Sequence, residues 1–211
     1  MHTFLADGWE QSHNVCFDTP VVQSVARTLY EDLPALLKEP CPFTPGQTVG
    51  DTHFLFLGLD AMGGKALNLN RWKDLPVTED RHPRIRQSSK FNYEGESFTV
   101  FPTRRALYLV PVIYPLSGFV YEEQLLRLPP GYEVASVVEA VSAQFAHYLK
   151  TRRYFPGMIF GRTRDTTREG ARVMLGEGDS DGVSLIQDRD NHAADGVGLA
   201  VHRRFELKPL N

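Results

Sequence analysis

Cysteine is scarce in this sequence, and long apolar runs are missing. The 211 residues include only two cysteines, Cys16 and Cys41. Two thiols form at most one disulfide, so we do not expect a disulfide-stapled scaffold. No segment approaches the roughly 18 consecutive apolar residues of a membrane-spanning helix, and residues 1–13 lack the features of a signal peptide. We therefore expect no membrane contact and a location in the cytoplasm or, for a viral component, in the virion.

A strong excess of positive charge is also missing. The formal net charge is -3 and the isoelectric point is near 6.2. These values argue against a protein that coats nucleic acid through the electrostatic field of its overall charge. Arginine nevertheless outnumbers lysine by 17 to 6. Arginine suits bidentate contacts with phosphate, but a GC-rich genome gives the same bias. Local basic patches therefore remain an open alternative.

The clearest element is a helix predicted at about residues 132–153. Pro129, Pro130 and Gly131 precede it, and Pro156 and Gly157 follow it. One face is apolar at a helical spacing, which predicts packing against a sheet. The members of this face are Val134, Val138, Val141, Phe145, Tyr148 and Leu149. The polar side chains expected on the opposite, outer face are Glu133, Ser136, Glu139, Gln144, His147 and Thr151.

The remaining elements predict an α+β fold in one domain covering residues 1–211. A second helix is expected at about residues 20–33, after an N-cap at Thr19, and an arm or short strand before it. Residues 52–60 form a nearly continuous apolar run that predicts a buried strand. Further strands are expected at 97–101, 106–114 and 119–128, and a polar turn at 163–168. The last segments, 171–175, 183–187 and 197–207, predict a C-terminal β-meander in an antiparallel or mixed sheet, because Asp-Gly precedes two of them.

Residues 61–96 form a long excursion with little periodicity. Such segments are commonly functional or ordered by a partner, so this excursion is the predicted docking region for other protein subunits or a second copy of the chain. Apolar and aromatic residues dominate binding energy at interfaces. The predicted anchors are Leu69, Trp72, Phe91 and Tyr93.

The acidic turns near the C-terminus suggest a possible metal site. Carboxylates are ligands of calcium and magnesium, and the candidates are Asp179, Asp181, Asp188 and Asp190. Their spacing does not match an EF-hand, and solvated hairpin turns explain the same residues. Two weaker alternatives are a zinc site formed by His13, Cys16, Cys41 and His53 and a nuclease site formed by Asp195, Glu206 and Lys208. No nucleophile motif or phosphate-binding loop is present, and we predict no cofactor.

Arginines beside aromatic residues suggest a contact with RNA or DNA. Guanidinium groups pair with phosphates and rings stack on the bases of single strands. The candidates are Arg84, Arg86, Arg152, Arg153 and Arg164. Charges that complement a helix end, or salt bridges at a protein interface, explain the same pattern.

These observations leave three hypotheses. The first is a non-enzymatic structural or assembly subunit of a multi-protein complex, such as a phage or viral particle component. The second is an RNA- or DNA-contacting subunit of a ribonucleoprotein or nucleoprotein complex. The third is a metal-dependent hydrolase that uses the acidic turns.

Overall fold

Two five-stranded sheets and a long helix that contacts both define the architecture. The computed structural model describes residues 1–75, 83–86, 91–156 and 160–208. The helices are α1 (Ala6–His13), α2 (Thr19–Glu31), α3 (Leu33–Leu36), α4 (Val49–Thr52), α5 (Leu69–Asp74), α6 (Tyr121–Leu126) and α7 (Val137–Thr151), and a 3-10 helix covers Ser97–Thr99. The strands are β1 (His2–Phe4), β2 (His53–Leu57), β3 (Ala61–Met62), β4 (Lys65–Ala66), β5 (Ile85–Arg86), β6 (Ala106–Pro111), β7 (Glu133–Val134), β8 (Phe160–Thr166), β9 (Arg172–Asp179), β10 (Gly182–Asp188), β11 (Val197–Leu199) and β12 (Val201–Glu206).

Both sheets mix parallel and antiparallel pairs. The first has the order β1-β2-β6-β12-β7, in which only β1 and β2 run parallel. The second has the order β11-β8-β9-β10-β5, with parallel pairs at its two edges. The predicted α+β class is confirmed. Among the described residues, no helix combines the length and the apolarity needed to cross a membrane.

Helix α7 is buried on all sides. It packs on β1 and β2 of the first sheet and on β8 and β9 of the second, and every residue from Val137 to His147 is buried. The prediction that Glu139, Gln144 and His147 lie on an outer face is therefore wrong. The apolar stripe indicated one sheet, but a second sheet covers the polar face as well.

The ends of α7 also differ from the prediction. Residues Glu133–Val134 form β7, and the helix starts after Ser136, whose hydroxyl accepts a hydrogen bond from the Glu139 backbone N–H. The Glu139 carboxylate in turn accepts a bond of 2.7 Å from the Ser136 backbone N–H, which completes a capping box. The helix ends at Arg152, which has the left-handed φ of 61°.

The predicted second helix and short strand are present, but residues 6–13, expected to be part of an arm or short strand, form helix α1. Helix α2 covers Thr19–Glu31, but Asp18 rather than Thr19 is the N-cap residue, because its carboxylate accepts the Val21 N–H at 3.2 Å. The predicted short strand is β1, which pairs with the fully buried β2. Residues 106–111 form the predicted strand β6.

Two strand assignments and one turn were wrong. Residues 97–99 form a 3-10 helix and residues 121–126 form α6. Helix α6 is anchored by the buried Gln124, whose side-chain oxygen accepts a 3.0 Å bond from the buried Arg162. Arg162 itself lies in β8, a seven-residue strand that includes most of the predicted polar turn.

The β-meander contains two of its three predicted strands, β9 and β10, but β8 takes the place of residues 197–207. It consists of β8, β9 and β10, and the Asp-Gly turn between the last two places Gly182 at a φ of 109°, where a Cβ would meet the Arg84 carbonyl. The third predicted strand, 197–207, divides at Ala200. Its N–H bonds to Arg162 of the second sheet and its carbonyl to Ala135 beside the first, so the chain crosses between the sheets there. Strand β12 consequently belongs to the first sheet.

The cap of α7 gives a test of this architecture. Ser136→Ala removes the hydroxyl that accepts the Glu139 N–H, and the loss of such a cap costs about 1 kcal/mol. We expect urea unfolding to show a free energy of unfolding lower by that amount. Ser180→Ala, in an exposed turn, is the control and should change it by less than about 0.5 kcal/mol. Equal losses in the two variants would contradict the role of the cap.

A basic groove at the C-terminal end of helix α7

The predicted docking anchors lie inside the protein. Leu69, Trp72, Phe91 and Tyr93 are each no more than 6% exposed and belong to the main apolar core. Helix α5 packs on α7, where the Trp72 indole donates a hydrogen bond of 2.9 Å to Ser142 and meets the Phe145 ring edge-on. These side chains are not presented to a partner in this structure. The part of the excursion at residues 76–82 and 87–90 lies outside the described residues.

The acidic turns are engaged with basic side chains. Asp179 pairs with Arg86, Asp190 lies 2.8 Å from Arg172, and Asp188 lies 2.6 Å from the His192 ring. Asp181 contributes its backbone N–H to Asp179. Within the described parts of the chain, no group of three or more His, Cys, Asp or Glu side chains could hold a metal ion. This holds for the acidic turns and for the four residues of the zinc alternative.

Two of the five predicted arginines, Arg152 and Arg153, line a cleft with Tyr154. The Tyr154 hydroxyl accepts a hydrogen bond of 3.3 Å from the Arg84 backbone N–H, and its ring lies 4.6 Å from that of Tyr148. Arg152 and Arg153 immediately precede Tyr154, and the partner of Arg86, Asp179, lines the same cleft as these two. Arg164 lies elsewhere, because it pairs with Glu139 at the N-terminal end of α7.

Two adjoining clefts surround this point, and we call them together the basic groove. The larger has a volume of about 620 Å³ and the smaller about 400 Å³, and both are lined by Arg153, Tyr154 and Pro156. The larger cleft is further lined by Met1, His2, Asp51, His53, Phe54, Val112, His147, Lys150 and Thr151. The smaller is further lined by Tyr148, Arg152, Phe155, Gly178, Asp179 and Ser180.

The positive charge of the groove is only partly compensated. Lys150 and Arg153 are exposed, and neither side chain forms an ion pair with any described residue. The Asp51 carboxylate is already used, since it accepts bonds from the backbone and hydroxyl of Thr48 at 3.0 and 2.7 Å. The groove therefore presents cations to solvent.

His147 sits at the boundary between the core and this groove. Its ring is held edge-on between Phe54 and Phe155, at centroid distances of 5.1 and 4.9 Å. The Nδ1 atom lies 2.7 Å from the Arg153 carbonyl, which only accepts, so Nδ1 carries the proton. Burial lowers the pKa of this imidazole, and neutral His147 then has an unprotonated Nε2. No described residue hydrogen-bonds to that atom.

His53 forms the inner wall of the larger cleft. It is buried, and its two ring nitrogens lie 2.9 Å from the Thr52 hydroxyl and 2.8 Å from the Tyr132 hydroxyl. Burial, assisted by the charge of Arg203, lowers the pKa of this ring to about 4. With both nitrogens occupied, His53 shapes the cleft and is not a free acceptor.

Comparisons of this chain with protein-family models, with curated proteins and with solved structures found no match.

Sequence reasoning missed the histidines of this site. His147 was placed on a solvent-facing side of its helix, and His2 carried no signal at all. Only the register of β1 against Phe54, which sets His2 at the end of the first sheet, places it near α7. The one sequence feature that indicated this site was the position of His147 near the basic C-terminal end of its helix.

The buried His53 predicts an acid-sensitive stability. An unfolded histidine has a pKa near 6.5, so the folded chain binds this proton more weakly than the unfolded chain. The free energy of unfolding should fall as the pH drops from about 6.5 to 4, by about 3 kcal/mol for a shift to a pKa of about 4.

Urea unfolding at pH 7 and pH 4 tests this. We expect the loss on acidification to be about 3 kcal/mol smaller in His53→Gln than in the parent protein. His192→Gln, at an exposed position, is the control. An identical acid loss in the parent and in His53→Gln would contradict the assignment.

Proposed function

We propose that the protein is a nucleic-acid-contacting subunit that binds single-stranded RNA or DNA in the basic groove. The observation that carries this proposal is the set of exposed basic residues, Lys150, Arg152 and Arg153, that line the two adjoining clefts at Tyr154. Arg152 and Arg153 are two of the five arginines that the sequence predicts to contact nucleic acid.

The charges of the groove support this binding mode. Lys150 and Arg153 have no carboxylate partner among the described residues, so a phosphate can approach them without breaking an ion pair. The two clefts adjoin at Arg153, which suits a chain of successive phosphates better than one isolated anion. Tyr154 is buried and forms the floor, while Tyr148 is partly exposed. Bases that stack on partly exposed rings are typical of single-strand binding.

A binding titration with a matched control tests the proposal. We expect a fluorescently labelled single strand to bind with an affinity that falls steeply with salt. Lys150→Ala/Arg153→Ala should weaken binding by about tenfold and reduce the salt slope by roughly 1 to 1.5, as expected for two lost phosphate contacts. Arg152 is left unchanged because its left-handed backbone makes a substitution there structural.

The control variant removes the same charge elsewhere. Lys65→Ala/Arg104→Ala changes two exposed cations near the far end of β2, away from His53 and the groove. Its binding and salt slope should match the parent protein. No binding at low salt, or equal weakening in both double variants, would overturn the proposal.

The assembly hypothesis remains as a second proposal, with different anchors. Just after the excursion, Val100 and Phe101 are 54% and 61% exposed, while the four predicted anchors are buried. Exposed apolar side chains of this size are the kind of residue that a protein partner covers. A native mass measurement of the protein recovered from its source tests whether it is part of a complex with other subunits. A monomer that recovers no other subunit would contradict it.

A further inference from the structure

We propose that the basic groove also cleaves RNA, with His147 as the general base and His2 as the general acid of an attack by the ribose 2′-hydroxyl on the adjacent phosphate. This inference rests on the proposed function, because it requires an RNA strand in the groove. It adds an activity that binding alone does not supply.

The geometry of His147 suits a base. Its Nδ1–H is committed to the Arg153 carbonyl at 2.7 Å, and Phe54 and Phe155 fix the plane of the ring. The Nε2 lone pair has no hydrogen-bond partner in the described chain, and the residue lines the larger cleft. A neutral imidazole oriented through Nδ1 is the usual arrangement of a histidine base.

His2 supplies the second titratable group. It is exposed in the same cleft and close enough to His147 for its charge to contribute to the lowered pKa of that ring. A neutral imidazole can accept a proton and a charged imidazole can donate one. Two imidazoles in one cleft therefore provide both halves of an acid–base pair.

Lys150 and Arg153 supply the charge that the reaction needs. Lys150 follows His147 by three residues, so both project from neighbouring positions on one side of α7. The pentavalent phosphate of the transition state carries additional negative charge, and cations without internal partners stabilise it. The charged and titratable groups that line the cleft are the α-amino group of Met1 and the side chains of His2, Asp51, His53, His147, Lys150, Arg153 and Tyr154.

The step conserves atoms and electrons. Nε2 of His147 removes the proton of the 2′-hydroxyl, the 2′-oxygen forms a bond to phosphorus, and the bond between phosphorus and the 5′-oxygen breaks. His2 gives a proton to the leaving 5′-oxygen. The products are a 2′,3′-cyclic phosphate and a 5′-hydroxyl, and exchange of one proton with water restores both rings. No oxidant, reductant or added reactant takes part.

Three strands of one sequence provide the test: RNA, 2′-O-methyl RNA and DNA, each incubated with the full chain in EDTA. We expect all three to bind and only the RNA to be cut, leaving a 2′,3′-cyclic phosphate detected by mass spectrometry. The cleavage rate should follow a bell-shaped pH profile.

Variants then assign the roles. His147→Gln and His2→Ala should each lower the cleavage rate by at least about 100-fold while changing the affinity for RNA less than twofold. The His2→Ala profile should lose its alkaline limb, and the His147→Gln profile its acid limb. His192→Ala, outside the groove, should cleave at the parent rate.

The experiment distinguishes failure of this inference from failure of the proposed function. RNA that binds but stays intact overturns this inference and leaves the proposed function in place, whereas RNA that does not bind removes both. Cleavage that persists in His147→Gln, or that also cuts the 2′-O-methyl strand, overturns the assignment. If His147→Gln fails to fold, the comparison of the three strands still decides between these outcomes.

Discussion

The enclosure of α7 between two sheets is the constraint on which the other features depend. A helix covered on both faces has no water for its polar side chains, and an unsatisfied buried group costs about 1 to 3 kcal/mol. The buried polar side chains of Glu139, Ser142 and Gln144 are accordingly paired within the fold. Ser142 accepts from Trp72, while the side chain of Gln144 donates to the Tyr114 hydroxyl and accepts from the Phe155 N–H. These bonds fix the segments that carry the partners, including the first part of the excursion and the turn after the helix.

The groove lies where α7 emerges from between the two sheets. His147 is the last buried residue of α7, and Lys150 is the first fully exposed one. Over one helical turn the chain thus passes from an environment that keeps an imidazole neutral to one that keeps an ammonium group hydrated. Gln144 holds the following turn through Phe155, and the carbonyl of Arg153 holds His147. A neutral acceptor and exposed cations are therefore adjacent because the last turn of a buried helix emerges from between two sheets.

The periodicity of apolar residues predicted the features that depend on one face of a single helix or strand. It identified the fully buried β2, helix α2 and the apolar stripe of α7, because neighbouring residues decide these features. Periodicity did not predict the features that depend on contacts with residues distant in the sequence. Residues 121–126 are helical and held by the buried Arg162, and residues 197–207 divide between two sheets at Ala200, which no local pattern encodes. The anchors of the excursion were recognised as important apolar residues, but sequence alone does not distinguish a side chain that packs on its own helix α7 from one that packs on a partner.

Whether a predicted arginine is paired within the protein or left without an ion pair depends on whether the fold places a carboxylate beside it. Arg164 lies 3.2 Å from the Glu139 carboxylate, which is buried by the same enclosure that forms the capping box. Arg86 is paired with Asp179 across the edge of the second sheet. Arg153 differs because the nearest part of α7 is its C-terminal end, where the sequence places cations and no acid. The negative end of the helix dipole offsets part of this charge, about half an elementary charge against two full ones. The remaining positive charge is the reason that the groove, rather than the arginine count of the chain, supports contact with a polyanion.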